Sequence, residues 1–325
     1  MMTGWQTMKS WSPLLALLVL VTGSVPSRAQ DTRTIRIILP FAAGGLSDSI
    51  ARLAAERLTA VLGQTVIVEP RPGAGGLIAS KYVLSAPADG TTLLVTGPSQ
   101  ILILPRVSKM EFDPITEFAP VSNLGSSPLV LAISSSLPAR TLAEFVNLAK
   151  ESPGKLTYAS GGTATTTHLV AALFFSHAGI ELTHVPYRGG APAVTDLMAG
   201  HVHAYFGNPP DIAPQMSGDR IRVLGISDDR RSREFPDVPT ISETYPGFKL
   251  LNWNALFARA GTPQSAIDRL SKALQEISRD PDYSARVQKL GVDVLGTPAA
   301  EFGETLRQDG ALWDAAVKAA KLPKE

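Results

Sequence analysis

The chain has 325 residues, 30 Lys and Arg against 29 Asp and Glu, a formal charge of +1, and no cysteine. Balanced charge without a basic run excludes an electrostatic nucleic-acid surface. Lack of cysteine excludes disulfides, thiolate metal sites and cysteine nucleophiles.

The first segment reads as an address rather than as fold. Lys9 is the only charge before Arg28, and residues 11–21 between them form an apolar run. That run is well short of the roughly 20 apolar residues a membrane span needs. Ser27 and Ala29 place small residues three before and one before a cut after Ala29, so residues 1–29 are expected to be a cleaved secretory signal. Removing Lys9 and Arg28 leaves 28 basic against 29 acidic residues, a formal charge of −1. The remaining length, about 295 residues, exceeds a usual single core and predicts two domains stabilised by burial alone.

Short apolar runs then alternate with amphipathic stretches, the pattern of a largely parallel α/β protein. A strand is predicted at 35–39, ending at Pro40. A helix follows from about Ser47, with Ile50, Leu53, Ala54, Leu58, Val61 and Leu62 on one face and Gly63 as its stop. Strands at 66–68 and 92–96 flank a helix over 76–86. Residues 118–134 read as extended chain broken at 125–128. Thr141 and Glu144 form a capping-box pattern at a helix start. A second series has strands at 156–160, 183–186, 202–206 and 222–227, with helices from about Thr165 and over 191–199. After residues 253–257 the chain turns mainly helical, with Thr262-Pro263 and Thr297-Pro298 predicted as a cap followed by a first-turn proline.

Three strand-to-helix junctions carry the candidate chemistry. At 40–48, Gly44, Gly45, Ser47 and Asp48 precede a helix whose free amides and dipole suit an anion. The same residues also suit a tight turn with Ser47 or Asp48 as the cap, and the motif alone leaves both open. At 158–168, Ser160, Gly161, Thr163, Thr165 and neighbouring hydroxyls supply neutral donors that orient well around a carboxylate. His168 lies one turn into that helix, as a ligand contact or as a packed, hydrogen-bonded ring. At 185–191, Arg188 is placed to meet an anion in two-point fashion or to stand in solvent. The fourth glycine cluster, 71–76, offers two of the three dinucleotide-fingerprint glycines with Ile78 in the third place, and reads as a structural turn. Catalytic patterns are thin. Neither G-x-S-x-G nor H-E-x-x-H occurs. Ser47 with His168 would need folding to bring them together, and His201 with His203 lacks a third metal ligand nearby.

Taken together and in order, these segments resemble the Bug-type extracytoplasmic solute receptors of tripartite tricarboxylate transporters. The resemblance runs through Ile35-Arg-Ile-Ile-Leu-Pro-Phe-Ala-Ala-Gly-Gly with Asp48, then Leu62-Gly-Gln-Thr-Val-Ile-Val-Glu with Arg71-Pro-Gly-Ala-Gly-Gly76. It continues through Ala88-Asp-Gly-Thr-Thr-Leu-Leu94, Pro153-Gly-Lys-Leu-Thr-Tyr-Ala-Ser160, His168-Leu169, Val185-Pro-Tyr-Arg-Gly, Pro236-Asp-Val-Pro-Thr240 and Ala260-Gly-Thr-Pro263. It implies an α/β, two-lobed, type II-like periplasmic-binding-protein fold with a ligand cleft between lobes. The implied division is 30–127 and 253–325 for the first lobe and 128–252 for the second. It further implies a periplasmic receptor that passes a small carboxylate to membrane permease subunits, acts as a monomer, and has no reaction, cofactor, metal or nucleic-acid partner. The ligand contacts carry over to Phe41, Ala42, Gly44, Gly45, Ser47 and Asp48, to Ser160, Gly161, Thr163, Thr165 and His168, and to Tyr187, Arg188 and Asn208. The chain departs from the family pattern at Ala43, Pro70 and Gly207, where proline, asparagine and aspartate are common. An exported α/β hydrolase and a sensor presenting its ligand to a signalling partner are the competing readings; fold alone does not separate them.

Overall fold

The computed structural model describes residues 33–41 and 43–322. The predicted signal segment and its cut after Ala29 lie outside the described residues, as does Ala42. Among the described residues eleven strands form two sheets. They are β1 (Ile35–Leu39), β2 (Val66–Pro70), β3 (Thr92–Thr96), β4 (Phe118–Pro128), β5 (Val130–Ser134), β6 (Thr157–Ser160), β7 (Thr183–Pro186), β8 (Ala204–Gly207), β9 (Ile221–Ile226), β10 (Leu251–Arg259) and β11 (Asp293–Val294). The six-stranded sheet runs β11-β4-β10-β3-β1-β2 and the five-stranded sheet β7-β6-β8-β5-β9. In the first, β1 pairs in parallel with β2 and β3 while β10 runs antiparallel to β3 and β4. In the second, β6 pairs in parallel with β7 and β8 while β5 runs antiparallel to β8 and β9.

The helices are α1 (Leu46–Leu62), α2 (Leu77–Ser85), the single turns α3 (Leu104–Val107) and α4 (Pro114–Glu117), α5 (Leu142–Glu151), α6 (Thr166–Ala178), α7 (Gly190–Ala199), the turn α8 (Pro209–Ile212), α9 (Gln264–Ser278), α10 (Pro281–Gln288) and α11 (Ala299–Ala319). None among the described residues is long and apolar enough to cross a membrane. Strand side chains alternate between faces, which sorts the core. Ile35, Ile37 and Leu39 face α1, α9 and α10, through Ile50, Leu58, Leu270, Leu274 and Val287. Ile38, Leu94 and Phe257 face the other way, against Ala79 of α2 and Phe302 and Trp313 of α11. That second layer does not stop at the sheet. It continues into Leu131 and Phe206 of the five-stranded sheet and Leu169 and Phe174 of α6, and α11 packs directly on α6.

The chain passes from one sheet to the other at Leu129 and returns between Ile226 and Leu251. Ser227 ties these crossings together. Its amide donates to Leu129 O at 2.9 Å and its carbonyl accepts from Leu250 N at 2.9 Å. Its hydroxyl accepts from Leu129 N at 2.8 Å and donates to Leu250 O at 2.7 Å. Every polar group of this buried residue is therefore spent on the crossing.

Several local expectations are corrected. The extended segment is unbroken to Pro128, because β4 pairs with β10 along its whole length and the break falls at Leu129. Thr141 caps α5, but the Glu144 carboxylate takes the Arg140 amide instead of returning to Thr141. A reciprocal capping box forms at Thr240 and Glu243 instead. Pro263 and Pro298 themselves occupy the N-cap positions of α9 and α11, one residue before the first turn. The Thr262 hydroxyl turns back to Arg259 O at 2.7 Å.

Candidate functional site

The C-terminal ends of β1, β3, β6 and β8 lie on the same side of the crossing strands within their respective sheets, since β11 and β9 take the opposite edges. The junction after β1 presents Phe41, Ala43, Gly44 and Gly45 as exposed residues ahead of α1. Gly44 has φ +93°, a conformation L side chains rarely adopt. Asp48 folds back beneath them, its Oδ2 accepting the Gly44 amide at 2.9 Å and Arg52 Nε at 3.0 Å. Burial pushes the Asp48 carboxyl up, yet the Arg52 and Gly44 hydrogen bonds outweigh it and hold the group below its ordinary value. Asp48 thus braces the turn as a paired anion. Ser47, on the other flank, donates to Asn254 Oδ1 at 2.5 Å.

Asn254 and Asn252 stand two apart on β10 and so share one face of it. Asn252 Nδ2 in turn lies 3.5 Å from Asn208 Oδ1 at the end of β8, and Asn208 donates to Asp211 at 3.2 Å. This polar chain links the loop after β1 to the second sheet. The strand also requires a bare backbone opposite it, because a Cβ on Gly97 would fall 2.9 Å from Trp253 O. Gly190 is similarly constrained: its Cβ would lie 2.5 Å from Asp211 Oδ2 and 3.0 Å from the Tyr205 hydroxyl.

In the second sheet, the junctions after β6 and β7 extend the strand pairing. Tyr187 N donates to Ser160 O at 3.0 Å and Gly189 N to Gly161 O at 3.1 Å. Thr165 caps α6 by accepting from His168 N, and its hydroxyl donates to Gly162 O at 2.7 Å. Thr167 Oγ1 accepts the Gly161 amide at 2.9 Å. Thr163 and Arg188 remain exposed. The Tyr187 hydroxyl is turned away to Asp196 at 2.6 Å, and burial together with that bond pushes it up to about 12. His168 is buried, with Nδ1 3.2 Å from the Ala164 amide.

Ser47 and His168 thus spend their bonds on Asn254 and Ala164, not on each other. His201 pairs with Asp196 at 3.3 Å, whereas His203 Nδ1 binds the Thr157 amide at 3.0 Å. Among the described residues no cluster of His, Asp or Glu is arranged to hold a metal. The turn at 71–76 is built into the fold: Gln100 Nε2 donates to Gly75 O at 3.0 Å, and a Cβ on Gly76 would meet Gln100 at 2.7 Å. Asn252, Asn254, Asp211 and His184 escaped the sequence reading, although Asn252-Trp-Asn254 on an otherwise apolar strand was a visible signal.

A cavity of about 750 Å³ lies elsewhere. It is lined by residues 228 and 230–234 after β9 and by 285, 288–289 and 291–295 around β11, together with Pro128. Its charges are mixed, with Asp228, Glu234 and Asp293 among Arg230, Arg231, Arg233 and Lys289. Arg231 is already paired with Glu243 at 2.9 Å. None of the loops after β1, β6 or β7 contributes to it, and its size alone gives it no claim to an anion.

Two α/β sheets joined by crossing strands, with two helix N-termini at loops of glycine and hydroxyl residues, define a periplasmic-binding-protein fold. The family model described as tripartite tricarboxylate transporter family receptor matches residues 50–322. BugT of Bordetella pertussis is 33% identical over 269 residues, covering 81% of this chain and 82% of that protein. A Rhodopseudomonas palustris protein solved with adipate, Rpa4515, superposes with TM-score 0.76 at 30% identity, covering 90% of this chain and 99% of that one. MatC from the same organism, solved with bound malate, gives TM-score 0.73 at 27% identity over 88% and 99%. The chain belongs to the tripartite tricarboxylate transporter receptor family, and its relatives there are of the Bug type.

Proposed function

We propose that this receptor captures a small carboxylate between the loop after β1 and the loops after β6 and β7, and delivers it to the permease subunits of a tripartite tricarboxylate-type transporter. The observation that carries the reading is the pair of glycine and hydroxyl loops, each opening a helix. The amides of Leu46 and Ser47 in α1, and of Thr166 and Thr167 in α6, donate to no backbone acceptor of the described chain. Such amides, with the positive helix end, favour an anion. Gly44, Gly45 and Ser47 would meet one end of the ligand, with Phe41 at the mouth and Asp48 beneath; Ala42, a further candidate contact, lies outside the described residues. Gly161, Thr163 and Thr165 would meet the other, with Ser160 and His168 beneath and Tyr187, Arg188 and Asn208 around them. Adipate and malate in the two solved relatives support the ligand class.

The lobes of this reading are 30–127 with 253–325, and 128–252, a division supported by sheet membership on either side of Leu129 and Leu251. The receptor binds without turning its ligand over and works as a monomer. Its signal is cleaved after Ala29, so N-terminal sequencing of periplasmic protein should begin at Gln30; an intact Met1 on membrane-bound protein would overturn export. A thermal-shift screen of organic acids tests the ligand class. An acid present at about 100 Kd adds about 2.7 kcal/mol, and the acid recovered should be chemically unchanged. Stabilisation by neutral sugars or peptides and by no acid would refute it.

A further inference from the structure

Beneath the loop after β6 lie two imidazole rings whose arrangement the ligand reading does not use. His168 of α6 and His184 of β7 stack face to face, with centroids 3.8 Å apart and planes 3° apart. Tyr158 lies beside the pair, its ring 4.9 Å from His184 and 6.1 Å from His168. Each ring holds a different end of the loop. His184 Nε2 lies 2.7 Å from Ser160 Oγ, which also donates to Gly162 O at 3.0 Å and accepts from Gly162 N at 3.1 Å. His168 Nδ1 accepts the amide of Ala164 at 3.2 Å. Ala164 needs that bond more than most residues do, since it is held at φ +59°, a region costly for a side chain with a Cβ.

We propose that His184 and His168 are positioning residues of this receptor: the neutral, stacked pair holds the 160–165 loop in the shape that receives the ligand, and protonation of the pair releases the loop. The inference rests on the carboxylate reading for what the loop receives, but not for the loop's dependence on the rings. The chemistry follows from the atoms. A proton on His168 Nδ1 turns the acceptor of the Ala164 N–H into a second donor facing it. Two imidazolium rings at 3.8 Å cannot coexist, because like charges at that distance repel strongly in a buried site. The titratable groups that face the rings are the rings themselves and the Tyr158 phenol; no carboxylate or cation acts on either. Burial, and then the neighbouring ring, push His168 down to about 4, and burial lowers His184 as well. His184 is only half-buried, which gives protons a route in. The pair therefore stays neutral above the ordinary histidine range, and the loop is lost progressively as pH falls from there toward about 4.

Two conservative variants separate positioning from simple packing. His168→Asn places its Oδ1 near the Nδ1 position, and His184→Gln places its amide near Nε2; neither titrates. Hydrogen exchange of the Ala164 and Gly162 amides in the ligand-free mature protein, corrected for intrinsic rates, is followed from pH 7.5 to 4.5. Protection should fall at least about tenfold across that range in the wild type and stay flat in His168→Asn/His184→Gln. Titration calorimetry with adipate and with L-malate forms the second arm. Where either acid binds, His184→Ala should weaken it at least about tenfold at pH 7.5, and the affinity of the conservative pair, whatever its level, should show no pH dependence beyond that of the ligand. Ligand protonation acts equally on wild type and double variant, so only the difference between their pH profiles counts. Identical profiles, or wild-type binding and protection by His184→Ala, would overturn the proposal. If neither acid binds, the exchange arm still decides the role of the rings, and the carboxylate reading is then tested by itself.

Discussion

Ser227 shows how much one side chain can decide. Its hydroxyl satisfies Leu129 N and Leu250 O where the chain crosses between sheets. Ser227→Ala strands two buried backbone groups, each unsatisfied partner costing about 1–3 kcal/mol. We expect the variant to lose at least about 2 kcal/mol in urea unfolding, and a midpoint equal to wild type would show that water replaces the hydroxyl. Asp48 acts on the same scale through charge. Its carboxyl is held below the ordinary value, so it contributes stability that is present above about pH 4 and lost as pH falls through its folded value. Asp48→Asn should therefore unfold at lower temperature near neutral pH, with the gap to wild type narrowing below pH 4. A gap that is constant across pH would assign the loss to shape and not to charge.

At the scale of elements, caps and loops separate stability from binding. The Thr141 hydroxyl accepts the Glu144 amide at 3.2 Å and starts α5, whose Phe145, Val146 and Ala149 are buried. Thr141→Ala should cost about 1 kcal/mol and leave ligand affinity unchanged, since α5 lies away from the loops. Gly162 is the opposite case. It sits at φ +138° with the Tyr187 carbonyl 3.5 Å from where a Cβ would be. Gly162→Glu adds strain and a negative charge beside the amides of α6. Ligand binding should vanish in calorimetry while far-UV circular dichroism stays that of the wild type. Retained binding would remove the loop from the site.

For the molecule as a whole, the two sheets share one apolar layer, beside a further cluster on the other face of each. One apolar cluster runs from Trp253, Phe257 and Phe302 through α11 into Leu169, Phe174 and Phe206. Rings along it meet edge to face, Trp253 with Phe302 at 5.5 Å and Phe174 with Phe206 at 5.8 Å. Lobes tied in this way should unfold together. Scanning calorimetry of the mature protein should show one transition with equal calorimetric and van't Hoff enthalpies; two resolved transitions would mean that the α11–α6 contact is weak. If the receptor closes on its proposed ligand, this contact is placed to act as the fulcrum.

The chain's own pattern already determined the strand and helix series, because side-chain periodicity of two or near 3.6 is set residue by residue. It also marked the loops at 40–48 and 158–168, since glycine and hydroxyl clusters at strand-to-helix junctions are local signals. Tertiary structure decided what those loops lean on. Asn252 and Asn254 come from a strand more than 200 residues after Ser47, and no local rule pairs them. His168 reads singly as a ligand contact or a packed ring, and His184 gives no signal at all; only the packing of α6 over the paired β6 and β7 stacks one on the other. The family resemblance already put a lobe boundary at 127–128, but the tie that fixes the crossing at Leu129 comes from Ser227, far along the chain. Local propensity fixes backbone shape over a few residues, whereas partners remote in sequence are chosen by packing the sheets, and that choice is made only in the folded chain.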